Sequence, residues 1–404
     1  MRWLLASLSL VCALAAAPAT AQETRAELLA QQRAERAKDT APYEPNPVER
    51  GLLLVDEHRI FDRLAGGLYG FYPRVGGFPT GSGLAGGVGY RKAIASGQWA
   101  FDAGAAASTR GYKAVQLATG LPRLFNGWVE VGAAWTWRDH TQEDFFGLGA
   151  SSALDARTSY RLRGHELSAL LALRPFPWLT AGSRIGLLHD DVLAGTDGAL
   201  PPIHAGFTEA TAPGLSRAPR LGYHRLFLDV DYRDERSNPR GGGRYELSWG
   251  WYDDRQSGAF DFGRTDVELL QIFPIFDKKR QFVVRVQSSH IEAESAARVP
   301  FFLMPSVGGS ESLRGFREHR FRDANYVLIN GEYRWEAFSA LDLALFFDAA
   351  DVAPHWDELT FRDLKTSWGV GFRFNTNRHV FLRLDIGAGG REGTRFFLKF
   401  GPAF

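Results

Sequence analysis

From about residue 66 to the C-terminus, apolar residues recur at every second position instead of at helical spacing, which predicts β-strands. Near the end, Phe396, Leu398, Phe400, Pro402 and Phe404 share one face, and Arg395, Phe397, Lys399, Gly401 and Ala403 the other. Val380, Leu382, Leu384 and Ile386 alternate with Phe381, Arg383, Asp385 and Gly387, and Trp368, Val370, Phe372 and Phe374 with Ser367, Gly369, Gly371 and Arg373. Further back, Tyr245, Leu247, Trp249 and Trp251 oppose Glu246, Ser248 and Gly250, and Val129, Val131, Trp135 and Trp137 oppose Glu130. One face is apolar and aromatic; the other is mostly polar, charged or glycine.

A soluble sandwich alternates in the same way, so the connections must separate the two. Short turns at 174–177, 336–340 and 375–378 alternate along the chain with long connections at 139–157, 193–221, 292–323 and 353–364. Short turns at one end and long loops at the other are the asymmetry of a transmembrane β-barrel. The fold class expected is therefore all-β: an outer-membrane barrel of 16 antiparallel strands, at 66–73, 82–93, 98–108, 111–121, 125–138, 157–173, 178–191, 222–233, 243–253, 260–273, 280–291, 324–335, 341–351, 365–375, 379–388 and 394–404. The third and fourth segments also read as one long strand, which would break the even count. An even count leaves both termini in the periplasm.

The first 63 residues follow other patterns. Met1-Arg2-Trp3, an apolar run from Leu4 to Ala17 and the small residues Ala19-Thr20-Ala21 have the layout of a signal peptide, cleaved before Gln22. Cys12, the single cysteine, would leave with it, so disulfides are not expected to stabilise the exported chain. Residues 22–63 are expected to form a periplasmic segment, helical from Thr24 to Lys38 by propensity and interrupted by Pro42, Pro45 and Pro47. The barrel would then occupy 64–404. No 18-residue apolar run follows residue 21, so a helical membrane span is not expected.

Composition agrees once a barrel is assumed. With 47 Lys+Arg against 46 Asp+Glu, a nucleic-acid partner is not expected, and 45% hydrophobic residues argue against disorder. Average hydropathy is what results when an apolar outer wall and a charged lumen are summed. Gly at 44 of 404 residues exceeds the usual ~7%.

Gly308-Gly309-Ser310-Glu311-Ser312-Leu313-Arg314-Gly315-Phe316 lies in the longest late connection, 292–323, and is followed by five strands. It resembles the loop-six signature of the BamA/TamA-like surface antigen barrels, the superfamily of outer-membrane assembly and two-partner secretion proteins. Gly331-Glu332-Tyr333-Arg334 and Phe346-x-Asp348 on the next two strands strengthen the resemblance. So do Asp231-x-Arg233-Asp234 with Pro239 and Gly242, Phe145-Phe146-Gly147-Leu148-Gly149, and the terminal Phe404. Strand parity turns Glu332 and Asp348 toward the lumen, where a guanidinium would meet them in a geometry lysine cannot copy. The resemblance assigns that role to Arg314, with Leu313, Gly315 and Phe316 beside it and Gly315 permitting a tight turn. Whether Arg314 pins a plug or takes part in gating stays open. Ala350 stands where the family has glycine.

The closing strands look weak: Gly66, Gly67 and Gly70 fall in the first, Gly401 and Pro402 in the last. Such a seam resembles the lateral gate of the family, or reflects simple fraying. The resemblance implies assembly machinery reading Phe400 and Phe404, surrounding outer-membrane lipid, and a protein or lipid client; self-association is left open. Family members in assembly and secretion carry POTRA domains, and 42 residues are too few to hold one, so a POTRA-less member is expected. No cofactor, metal or enzymatic activity is expected. Gly81-Ser82-Gly83-Leu84-Ala85-Gly86 fits G-x-G-x-x-G but leads into a strand pattern, where no helix N-terminus can hold a phosphate. His140 near Glu143 and Asp144 offers an ion site in an outer loop, but reads rather as part of a solvated loop. A barrel phospholipase would need Ser and His on the outer wall of adjacent strands, and the sequence nominates no pair. Two readings survive: a facilitator of protein or lipid passage through the seam, and a static or channel barrel plugged by loop six.

Overall fold

The structure, a computed structural model, describes residues 69–401 apart from 96, 277, 339, 376–379 and 391 and the side chain of Phe381. Gly66, Gly67, Pro402 and Phe404 lie outside the described residues, as does the segment 22–63. The chain divides into Met1–Arg50 and Gly51–Phe404, and everything below concerns the second unit.

In chain order its strands are β1 (Phe71–Val75), β2 (Ala85–Ile94), β3 (Trp99–Ser108), β4 (Lys113–Leu124), β5 (Val129–Phe145), β6 (Thr158–Phe176), β7 (Leu179–Ala194), β8 (Arg220–Asp231), β9 (Gly242–Asp254), β10 (Asp261–Ile275), β11 (Arg280–Glu292), β12 (Ser306–Val307), β13 (Phe321–Arg322), β14 (Asn325–Phe338), β15 (Leu341–Ala353), β16 (Lys365–Asn375), β17 (Val380–Gly389) and β18 (Thr394–Lys399). All but β12 and β13 form one 16-stranded antiparallel sheet in sequential order, the arrangement of an up-and-down transmembrane barrel. The two-residue strands β12 and β13 pair with each other inside loop six, the connection between β11 and β14. The third and fourth strands are separate and paired, which keeps the count even.

The alternation seen in sequence is the alternation of the wall. On β9, Leu247, Trp249 and Trp251 are 39–47% exposed, whereas Ser248 between them is 2% exposed. On β16 and β17 the inward positions Ser367, Arg373, Arg383 and Asp385 are buried. Among the described residues no helix is long and apolar enough to cross a membrane; the strands cross it. Phe145, Tyr160, Ile203, Leu215 and Phe301 form one apolar cluster and Leu221, Phe260, Val299 and Met304 another, so the long connections pack on strand ends as a cap with its own core.

Strand ends differ from expectation. β5 continues to Phe145 because the wall extends beyond the apolar band, and its outer end carries Asp139 and Glu143, both buried. His140 and Glu143 therefore lie within a strand, 3.0 Å apart, and His319 of loop six approaches the other Glu143 oxygen at 3.3 Å. The expected solvated loop is in fact a buried carboxylate clamped between two imidazoles. At the seam, β1 begins only at Phe71 and β18 stops at Lys399. Gly70 precedes β1 at φ +92°, and Gly401 follows β18 at φ +99°, so both end strands instead of weakening them from within. Phe400 lies beyond β18 and is 52% exposed. The G-x-G-x-x-G segment runs from a loop directly into β2, with no helix after it.

Candidate functional site

Loop six folds into the lumen and ends on a guanidinium. Gly308 and Gly309 turn the chain at φ +129° and +83°, conformations that favour glycine, immediately after β12. Leu313 and Phe316 then pack with Val307, Phe321, Leu328, Ala350 and Val352. Ala350, in the place of the family's glycine, is fully buried in that cluster. This apolar patch fixes the loop on both sides of Arg314, so the guanidinium is held before it meets any charge.

Arg314 donates to Asp348 Oδ2 from its main-chain N–H (3.0 Å) and Nε (3.1 Å), and to Asp348 Oδ1 from Nη2 (2.7 Å). Its Nη1 donates to Glu332 Oε2 at 2.6 Å. Its Cζ sits 3.7 Å from the centroid of the Phe346 ring, a cation–π contact. β14 and β15 pair Glu332 with Phe346 and Asn330 with Asp348, so the three acceptor and ring groups come from two adjacent strands in fixed register. Asp348 also accepts from Asn330 Nδ2 (2.8 Å) and Ser367 Oγ (3.0 Å). Asn330 donates a further bond to the carbonyl of Ser312, tying the loop backbone to the wall.

The network extends past the residues that sequence pointed to. Glu332 accepts from Arg334 Nε (2.7 Å) and Arg373 Nη2 (3.0 Å) as well as from Arg314. Arg373 reaches Asp385 at 2.6 Å, and Arg383 reaches both Asp385 (3.1 Å) and Glu311 (3.0 Å). Four guanidinium groups thus face four carboxylates, three of them fully buried, and the desolvation of each charge is offset by several partners. Parity had placed Arg373, Arg383 and Asp385 on the polar face; only the register across β14 to β17 shows that they meet.

Gly315 lies in the expected tight turn, closed by the Phe316 N–H donating to the Leu313 carbonyl at 3.1 Å, and it meets a second requirement as well. Its φ is outside the left-handed range, and a Cβ there would lie 2.4 Å from the Gly389 nitrogen and 2.5 Å from the Ala388 carbonyl carbon. A Cβ on Gly387 would lie 2.2 Å from the Arg314 oxygen. Glycines on both sides let the loop lie backbone to backbone on β17. Gly315→Ala is accordingly expected to push loop six off β17 while leaving the sheet intact. Faster proteolysis of loop six with unchanged heat-modifiable gel migration is the expected result; unchanged proteolysis would show that the close approach is dispensable.

Loop six also touches both banks of the seam. Thr80, in the loop between β1 and β2, and Ser310 have hydroxyls 3.0 Å apart. On the other bank, Arg320 bonds Glu392 beyond β17; away from the seam it also donates, at 2.9 Å, to the hydroxyl and carbonyl of Ser152 in the β5–β6 connection. Between the banks lies a cavity of about 430 Å³ lined by Val75, Phe78 and Leu84 on one side and Phe396, Leu398 and Phe400 on the other.

A large antiparallel barrel with a charged lumen and an inward-folded, arginine-tipped loop defines a class of outer-membrane β-barrel. The Omp85 superfamily domain matches residues 225–404, which contain this loop and its lumen partners Glu332, Asp348, Arg373, Arg383 and Asp385, and the fold matches that of BamA-type barrels. The crystal structure of BamA from Haemophilus ducreyi lacking POTRA domains 1-3 matches with a TM-score of 0.61 at 14% identity, covering 83% of this chain and 69% of that one. CdiB from Escherichia coli matches with a TM-score of 0.50 at 15% identity, covering 82% and 59%. At such identities the likeness is one of fold. No curated protein matches the sequence.

Proposed function

We propose that this barrel helps proteins or lipids insert into or cross the outer membrane through the seam between β1 and β18, with Arg314, Glu332 and Asp348 as the lock that holds loop six. The observation that carries this reading is that loop six is bonded to both banks of the seam as well as to the lumen wall. A loop so placed can couple the state of the lock to the seam. A simple plug would need only the wall contacts.

In this reading the signal peptide 1–21 is removed, residues 22–63 form a periplasmic helical or linker segment, and both termini are periplasmic. Phe400 and Phe404 would be read by the assembly machinery as the chain enters the membrane, lipid surrounds the apolar wall, and self-association is compatible with it. Catalysis is no part of this role. The second reading, a static or channel barrel, is favoured by the extent of the ion network, since so many buried pairs resist motion.

A cysteine pair engineered across β1 and β18 separates the two. Under the gating reading, oxidation abolishes support for client insertion and reduction restores it, while barrel folding is unchanged in both states. Full support in the oxidised, crosslinked form would leave the static reading, which in turn expects removal of 296–320 to open a stable conductance in planar bilayers.

A further inference from the structure

The outer wall carries a pair of side chains that the sequence did not reveal. Ser183 on β7 has the parity of Ile185 and Leu187, 54% and 56% exposed, and His224 on β8 that of Leu226 and Leu228. The inward face is fixed independently, because a Cβ on Gly182 or Gly186 would strike the rings of Phe227 and Tyr223. Ser183 and His224 therefore face the bilayer. The register sets Ser183 opposite Leu226 and Ile185 opposite His224, making the pair diagonal neighbours, and Ser183 Oγ and His224 Nε2 share a hydrogen bond of 2.6 Å.

Their surroundings are apolar. Leu171 stands opposite Ser183 on β6, and Trp251 opposite His224 on β9. The Trp251 ring meets the imidazole edge-on at 4.6 Å and fixes its orientation. An ionisable side chain on a lipid-facing wall is costly, and its presence calls for a function. A trough of about 590 Å³ runs beside it, lined by Ala133, Leu167, Ala169, Ile185 and Leu187, with His224 on its surface. Asp253 and Arg255, paired at 2.6 Å, line the same trough and give it a charged rim. Small residues open the trough, larger aliphatic ones line it, and the rim charges suit a lipid head group.

We propose that Ser183 and His224 are the nucleophile and general base of a site that hydrolyses acyl esters of membrane lipids. Ser183 Oγ attacks the ester carbonyl carbon while His224 Nε2 takes the hydroxyl proton; the C–O bond to the alcohol breaks and His224 returns the proton to that oxygen. A water molecule, deprotonated by His224, then attacks the acyl-serine, releasing the fatty acid and restoring the hydroxyl. Water is the only co-reactant. The trough holds the acyl chain, and Arg255 provides a positive charge for the phosphate of the head group. This activity is separate from the seam, so it stands or falls independently of loop six.

The full-length protein reconstituted in phosphatidylethanolamine and phosphatidylglycerol vesicles is expected to release fatty acid and to be labelled by a fluorophosphonate probe at Ser183, located by peptide mass spectrometry. Ser183→Ala should abolish both readouts, and His224→Gln should slow release by roughly 10²–10⁴-fold. Both substitutions sit on the outer wall and should leave heat-modifiable migration unchanged. Release by Ser183→Ala equal to that of the unaltered protein, or no release and no probe at Ser183 in the unaltered protein, would overturn the assignment.

Discussion

Arg314→Ala is expected to lower barrel stability by roughly 3–5 kcal/mol, because it leaves the buried carboxylates of Glu332 and Asp348 short of their common cation. Both carboxylates have side chains with no solvent exposure, and Arg314 itself is 1% exposed. Water cannot replace the missing donors without entering the lumen core. The substitution also removes three side-chain hydrogen bonds and the contact with Phe346 at one stroke. The main-chain N–H to Asp348 remains available to alanine. The check is the urea midpoint of the compact, heat-modifiable species. Arg314→Lys should recover less than half of the loss, since one ammonium cannot span both carboxylates and lie flat on the ring. A midpoint within error of the unaltered protein would mean that loop six leaves the lumen at little cost.

The parts of this arrangement that were legible in the sequence are those that period two controls. Parity alone puts Glu332, Asp348, Arg373, Arg383 and Asp385 on the inward face, and the spacing of turns separates the strands except the third from the fourth, which the structure resolves. What parity cannot supply is register. Arg373 meets Glu332 only because β16 and β14 flank β15: Glu332 is level with Phe346 and Gly369, and the long Arg373 side chain, four positions along β16, spans the offset to reach it. Ser183 meets His224 only because β7 and β8 pair with a diagonal offset. Neither partner lies in a local motif, so a one-dimensional reading passes over both.

Gly315 carries a requirement that the sequence did not show. A glycine in a loop most simply signals a turn, which is present, and here it also signals clearance. The information lies in Gly387 and Gly389, some seventy positions away, whose missing side chains make the complementary half of the contact. The strand ends were misjudged where polarity changes before the hydrogen bonding does. β5 runs on to Phe145 because loop six and its neighbours cover its polar end, so Glu143 is paired inside structure instead of being solvated.

Glu332→Gln should be the most damaging single change in the lumen. Glu332 is shared by three guanidinium groups, Arg314 at 2.6 Å, Arg334 at 2.7 Å and Arg373 at 3.0 Å. Glutamine keeps the shape but gives three cations a neutral acceptor and turns an NH2 donor toward them. Asp348 and Asp385 already serve Arg314 and Arg373, so neither can absorb the excess charge without giving up bonds it already makes. The expected cost exceeds that of Arg314→Ala in the same urea measurement. Combining the two substitutions should cost less than their sum by roughly 0.5–3 kcal/mol, because removing one cation relieves the site that lost its anion. Burial predicts that this coupling persists at high salt, whereas an exposed pair would be screened away. Strict additivity, or loss of the coupling in salt, would mean that water reaches Glu332 and that the lock is an ordinary solvated pair.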